Sequence, residues 1–185
     1  MKKILFLKIE TNGLPKCKVK QVKNDNLNYW PNVISIYYKI GTYNKETKKI
    51  DIEYSYYSIV KTDFIINKYA QRVHQITDEM MNDDGKDIKE ILNQLNEDID
   101  KNSIEFIIGH NINFDYNIIH SEFLKNEIEF NNKNIKLIDT ISYKHDYEYP
   151  KLEDLFKKLY GRKFKKSHPR KSLINITIKC FEKLY

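Results

Sequence analysis

Two long runs of β-branched and aromatic residues, Asn32–Gly41 (NVISIYYKIG) and Lys49–Val60 (KIDIEYSYYSIV), read as strands. Only short turn material, Tyr43-Asn44-Lys45, separates them, which predicts an antiparallel hairpin. Upstream, Lys3–Lys8 is a short buried strand broken by Gly13 and Pro15. The polar, lysine-rich stretch Lys16–Asn28 reads as a surface loop. Downstream the period changes. Thr77 starts a short helix reaching Met81, and Lys86–Asp100 carries Ile88, Ile91, Leu92, Leu95 and Ile99 at helical spacing. A strand over Ile104–Ile108, a helix over Phe114–Asn126 and a strand over Ile135–Ile138 follow. Helices over Leu152–Tyr160 and Leu173–Leu184 complete the chain. Strands first, then β/α alternation, predict an α/β fold with a mixed sheet flanked by helices. With 185 residues and no internal repeat, linker or boundary, a single domain over 1–185 is expected.

Composition narrows the class. Hydrophobic residues make up 41% and charged residues 31%, which excludes a membrane protein and a disordered chain. No apolar run approaches the ~18 residues of a membrane span, and MKKILFLKIE meets charge too soon for a signal peptide. Cys17 and Cys180 fit no metal or disulfide spacing and point to a reducing, intracellular compartment. The net charge of +6 permits a polyanionic partner. The abundance of Lys, Asn, Ile and Tyr is also what an AT-rich coding sequence yields, so charge alone decides nothing. An oligomer is compatible with the sequence.

Two segments carry chemistry. In Phe6-Leu7-Lys8-Ile9-Glu10-Thr11-Asn12-Gly13-Leu14-Pro15, strand alternation projects Lys8 and Glu10 to the same side. In Gly109-His110-Asn111-Ile112-Asn113-Phe114-Asp115, an acidic residue stands in the first turn of a helix just after a strand. Together these segments resemble the DEDDh (DnaQ-like) 3′–5′ exonucleases of the ribonuclease H-like superfamily. That family's motifs read D-x-E-T-x-G-L, G-H-N-x-x-F-D and H-x-A-x-x-D, and the second is matched in full. Arg72-Val73-His74-Gln75-Ile76-Thr77 resembles the family's V-H-G-I-T segment, with Gln75 for glycine. Ile138-Asp139-Thr140 and Pro150–Leu155 also fall in family order.

The resemblance implies a ribonuclease H-like mixed sheet of five strands, the second antiparallel to the rest. It implies metal-dependent release of nucleotides from DNA or RNA 3′ ends, with four carboxylates holding two Mg²⁺ or Mn²⁺ ions roughly 3.5–4 Å apart. Glu10 and Asp115 match two of those ligands, and His168 matches the general base. Lys8 stands where the family has its first aspartate, and Leu173, five residues after His168, stands at the fourth. A register shifted by two puts Arg170 and Asn175 at the third motif's histidine and aspartate, again without a carboxylate. The four positions then sum to −1 rather than −4, too little to capture hard cations, so metal binding is expected to be weak or lost. The Lys8 ammonium would pair with Glu10 or Asp115 instead.

The expected protein is therefore exonuclease-like, impaired in catalysis and acting through nucleic-acid binding. An active enzyme with a non-standard metal site and a pure protein-interaction scaffold are the alternatives.

Several residues carry two readings. Glu10 and Asp115 are either surviving metal ligands or partners of Lys8. His168 is either a relic base or a solvated loop histidine. Thr11, His110 and Asn111 are candidate substrate-binding residues, and His110 and Asn111 more simply cap and orient the helix bearing Asp115. Arg162, Lys163, Lys165, Lys166, Arg170 and Lys171 crowd the loop before the last helix, either to contact phosphates of a single-stranded 3′ end or as a solvated charged loop. Tyr54, Tyr56 and Tyr57 either stack bases or pack. His74 packs or bonds locally, and Asp139 and Asp154 lie off the family's metal face.

Overall fold

The computed structural model describes residues 2–16, 21–63, 66–141, 150–164 and 169–185, with side chains from residue 172 onward in the last stretch. The apolar alternation of the first segment forms β1 (Lys2–Thr11), which lies near the centre of the sheet and is buried on both faces. Leu5, Leu7 and Ile9 point to one core, and Ile4 and Phe6 to another. β2 (Val33–Asn44) runs antiparallel to β1, pairing Lys8 with Tyr37 and Glu10 with Ser35. β3 (Lys49–Val60) returns antiparallel to β2 through a turn in which Asn44 Oδ1 accepts the Glu46 and Thr47 N–H groups at 3.0 and 3.1 Å.

The second half alternates. After α1 (Lys68–His74) and α2 (Asp78–Asp84) comes β4 (Gly85–Lys86), then α3 (Ile88–Lys101), β5 (Phe106–Gly109), α4 (Ile112–Lys125) and β6 (Lys136–Asp139). α5 (Leu152–Tyr160) and α6 (Pro169–Leu184) end the chain. The sheet has six strands in the order β4-β3-β2-β1-β5-β6, and β2 alone runs against the others. The expected five strands thus become six. The extra one, β4, pairs through two residues only, Gly85 with Ile59 and Lys86 with Val60, and two residues carry no period to read.

Two further corrections concern boundaries. The Lys16–Asn28 stretch is not all loop, because Asn24–Tyr29 forms a 3₁₀ helix. The last helix begins at Pro169, four residues before the expected Leu173, since proline's fixed φ and missing N–H suit a first helical turn. Arg170 and Lys171 therefore belong to α6 rather than to the loop before it.

The helices cover both faces. α3 and α4 bury Ile91, Leu92, Leu95, Ile118, Ile119 and Phe123 against the Leu5–Leu7–Ile9 side of β1. α6 lays Ile174, Ile178 and Phe181 on Ile4 and Phe6, and α5 packs on α6 through Leu155, Phe156, Ile176 and Cys180. Tyr56 and Tyr57 pack, Tyr56 stacked on Tyr38 and Tyr57 edge-on to Tyr37, whereas Tyr54 is exposed. Among the described residues no helix is long and apolar enough to cross a membrane.

Candidate active site

Three elements converge at the C-terminal end of β1. Parallel pairing of Ile4–Phe6 with Phe106–Ile108 sets β5 beside β1, so the turn leaving β5 arrives next to Lys8. Gly109 makes that turn tight: a Cβ there would lie 2.7 Å from Ile112 Cδ1. The chain passes through Asn111, which adopts a left-handed conformation (φ 62°, ψ 47°), and enters α4 with Asp115 in its first turn. A register shift between Glu10 and Thr11 breaks the β1–β2 ladder at the same place.

Asp115 is buried, and its Oδ1 accepts two donors: the Ile9 N–H at 2.8 Å and the Lys8 ammonium at 3.0 Å. Burial draws the Lys8 ammonium down, but the Asp115 carboxylate, then Glu10, then the hydrogen bond to Asp115 outweigh it, and the Lys8 pKa stands above the ordinary 10.5. Of the two partners the sequence allowed for Lys8, Asp115 takes the direct contact and Glu10 acts through its charge.

Asp139 caps α4. Its Oδ1 accepts the N–H groups of Asn111 and Ile141, each at 2.9 Å, and its Oδ2 accepts that of Ile112 at 3.1 Å. The capping expected of His110 and Asn111 is thus done by a carboxylate from β6, and the Asn111 side chain makes no cap bond. His110 bridges two segments, with Nδ1 2.8 Å from Thr140 Oγ1 and Nε2 2.9 Å from the Pro150 carbonyl. A carbonyl only accepts, so the proton sits on Nε2 and Nδ1 accepts from the Thr140 hydroxyl. Burial lowers the His110 pKa, only partly offset by the bond to Pro150, which keeps the ring neutral at pH 7.

Thr11 donates its hydroxyl to the Gly13 carbonyl at 2.7 Å and helps shape the turn after β1. Leu173 is half-buried and packs into the α5–α6 cluster, and Asn175 accepts from Lys39 on β2 at 2.9 Å. Arg162 and Lys163 are exposed just beyond α5. His168, Lys165 and Lys166 lie outside the described residues, as does the side chain of Arg170. His74 bonds locally, its Nδ1 accepting from the Ile76 N–H at 3.0 Å.

The donor set does not fit a pair of Mg²⁺ or Mn²⁺ ions. Such ions want several oxygen ligands. Here the Lys8 ammonium bonds Asp115 Oδ1, and Leu173 carries no ligand atom.

Beside Lys8 and Glu10 opens a cleft of about 520 Å³ whose walls include Leu14, Tyr69, Val73 and Phe114. Leu14, Tyr69 and Val73 are each more than three-quarters exposed. Leu14, Val73 and Phe114 lie in the motif segments quoted from the sequence, whereas Tyr69 belongs to none of them.

The family model for exonucleases, RNase_T, matches residues 37–169. The chain belongs to this exonuclease family. The matched span holds the second motif with Asp115, whereas Lys8, Glu10 and Leu173 fall outside it. Compared by sequence, the chain matches no curated protein.

Solved exonucleases share the fold. Exonuclease X in complex with 5′-overhanging duplex DNA aligns at a TM-score of 0.58 and 17% identity, over 97% of this chain and 87% of that one. The zinc-bound complex of Escherichia coli exonuclease I with single-stranded DNA aligns at 0.71 and 15%, over 100% of this chain and 40% of that one. Exonuclease I from Methylocaldum szegediense aligns at 0.67 and 15%, over 99% and 40%. The chain thus spans 40% of the length of these exonuclease I proteins. At such identities the likeness establishes the mixed, helix-flanked sheet of the ribonuclease H-like fold.

Proposed function

We propose that this exonuclease-family chain binds the single-stranded 3′ end of DNA or RNA as one domain, and that it is impaired in hydrolysing it. The observation that carries the reading is the Lys8 Nζ–Asp115 Oδ1 contact of 3.0 Å. The family's chemistry needs cations to generate the attacking hydroxide and to hold the leaving oxygen. In this chain an ammonium neutralises the carboxylate that would hold them. Leu173 supplies no oxygen at the fourth position, so the −1 left on Lys8, Glu10 and Asp115 attracts a divalent ion weakly. Without that ion a relic base at His168 has no activated water to deprotonate.

Binding does not share this dependence. The cleft beside Glu10 offers Leu14, Tyr69, Val73 and Phe114 as apolar surface for a terminal nucleoside. Arg162, Lys163, Lys165, Lys166, Arg170 and Lys171 supply cations for phosphates. Thr11 helps shape the cleft wall, and His110 and Asn111 act as positioning residues.

The test is the affinity for a 5′-labelled single strand, measured by fluorescence anisotropy at low salt with either EDTA or Mg²⁺ present. Equal affinity in both supports the reading. Binding that appears only with the divalent ion contradicts it.

A further inference from the structure

Just past the end of β1 stands an Asn-Gly pair, Asn12 and Gly13. In such a pair the asparagine side chain lies open to attack by the next backbone nitrogen, because glycine has no Cβ to shield that atom. Both residues are half-buried here, and a Cβ built on Gly13 would meet no atom within 4 Å. The turn therefore has room beside Gly13 for the five-membered ring that the attack closes.

The contacts around the pair fix its carbonyl group. The Asn12 N–H donates to the Asn32 carbonyl at 3.1 Å, and the Asn32 N–H donates to Asn12 Oδ1 at 2.9 Å. Lys125 Nζ, on α4, donates to Asn32 Oδ1 at 2.9 Å and to the Pro31 carbonyl at 3.4 Å, which holds that donor from behind. Thr11 Oγ1 donates to the Gly13 carbonyl at 2.7 Å and ties down the other side of the pair. A fixed backbone N–H aimed at a carbonyl oxygen acts as an oxyanion hole does. It draws electrons from the carbon and stabilises the negative charge that the oxygen gains under attack.

We propose that Asn12 is a self-modifying site, converted to aspartate and isoaspartate through a succinimide with water as the only co-reactant. The Gly13 nitrogen gives its proton to hydroxide and bonds to Asn12 Cγ, while the Asn32 N–H holds the oxyanion. The Cγ–Nδ2 bond then breaks, and the leaving nitrogen takes a proton from water and departs as ammonia. Water next adds to either carbonyl of the ring. Opening one C–N bond leaves an aspartate in an ordinary chain, and opening the other routes the chain through the side chain as isoaspartate. Aspartate keeps an oxygen for the Asn32 N–H and adds a negative charge. Isoaspartate lengthens the backbone and displaces Gly13 and Leu14, which line the cleft beside Glu10. The site stands whether or not the chain binds nucleic acid.

The test follows the full chain by peptide mass spectrometry over days, folded and in urea, at mildly acidic and mildly alkaline pH. The peptide spanning Asn12 should gain the mass of a carboxylate in place of an amide, faster at alkaline pH. In H₂¹⁸O the product should carry one heavy oxygen. The folded chain should convert at least as fast as the chain in urea, because the Asn32 donor is in place only when folded. Gly13→Ala, whose methyl shields the nitrogen, should lose most of the conversion in both states, so the comparison in urea needs no folded variant. Conversion in urea with Asn12 intact in the folded chain would show that the turn protects the pair, and the proposal would fall. Asn12 intact in both states would overturn it equally.

Discussion

At the scale of single residues, the central contact is that of the Lys8 ammonium with Asp115. Asp115 Oδ1 accepts both the Lys8 ammonium and the Ile9 N–H. Removing one member of a buried pair strands the other, so Lys8→Met is expected to cost about 2–3 kcal/mol, toward the low end because the lysine keeps some solvent. Chemical denaturation at neutral pH measures this. Because the Lys8 pKa is raised, its contribution is fully present below 10.5 and is lost as the pH climbs through the higher folded value. Lys8→Met should lack that part of the alkaline loss. His110 has the opposite sign. Its pKa is lowered, so the unfolded chain takes up the proton first, and stability declines as the pH falls below 6.5. His110→Gln should flatten that decline while lowering the plateau. The intruding lysine was legible in the sequence, since strand alternation aligns Lys8 with Glu10. Its choice of Asp115 was not, because it depends on how the first turn of α4 meets the end of β1.

At the scale of elements, the parts that position the site are held by groups distant in sequence. Asp139 on β6 caps α4 through the Asn111 and Ile112 N–H groups and also accepts the Ile141 N–H. Asp139→Ala should cost about 1–2 kcal/mol, visible as a lower denaturation midpoint with an unchanged slope. α1 ends on Gln75 in the left-handed region at φ 57°, where the family segment has glycine. Gln75→Gly should relieve strain of roughly 1 kcal/mol and lose part of it to chain entropy, leaving a small rise in thermal midpoint. The elements read correctly were those with a strong period: β3 and α5 match residue for residue. β4, α1 and the 3₁₀ helix were not legible. β4 is two residues long, His74 is the one buried residue of α1, and the 3₁₀ helix has none. The capping role of Asp139 was equally hidden, since it requires β6 to lie beside β5.

At the scale of the whole molecule, an exonuclease-family fold carries a net charge of +6. The proposed phosphate contacts predict binding that weakens steeply with salt, with a log–log slope of about −0.7 per phosphate contacted on a single strand. A salt titration of the anisotropy midpoint reads that slope, and a slope near zero would remove phosphate contacts from the picture. The fold class was legible because strand and helix periods follow one another in family order. The most direct measurement of whether Lys8 has displaced the metals is digestion of a 3′-labelled single strand, DNA and RNA in parallel, with excess protein and Mg²⁺ or Mn²⁺. The parent chain, Lys8→Asp alone, the Lys8→Asp/Leu173→Asp double variant and Asp115→Ala run side by side, with Mn²⁺ binding followed by electron paramagnetic resonance. The expected result is no cleavage and no tightly bound Mn²⁺ for the parent, and both gained by the double variant. Cleavage by the parent that Asp115→Ala abolishes would contradict it.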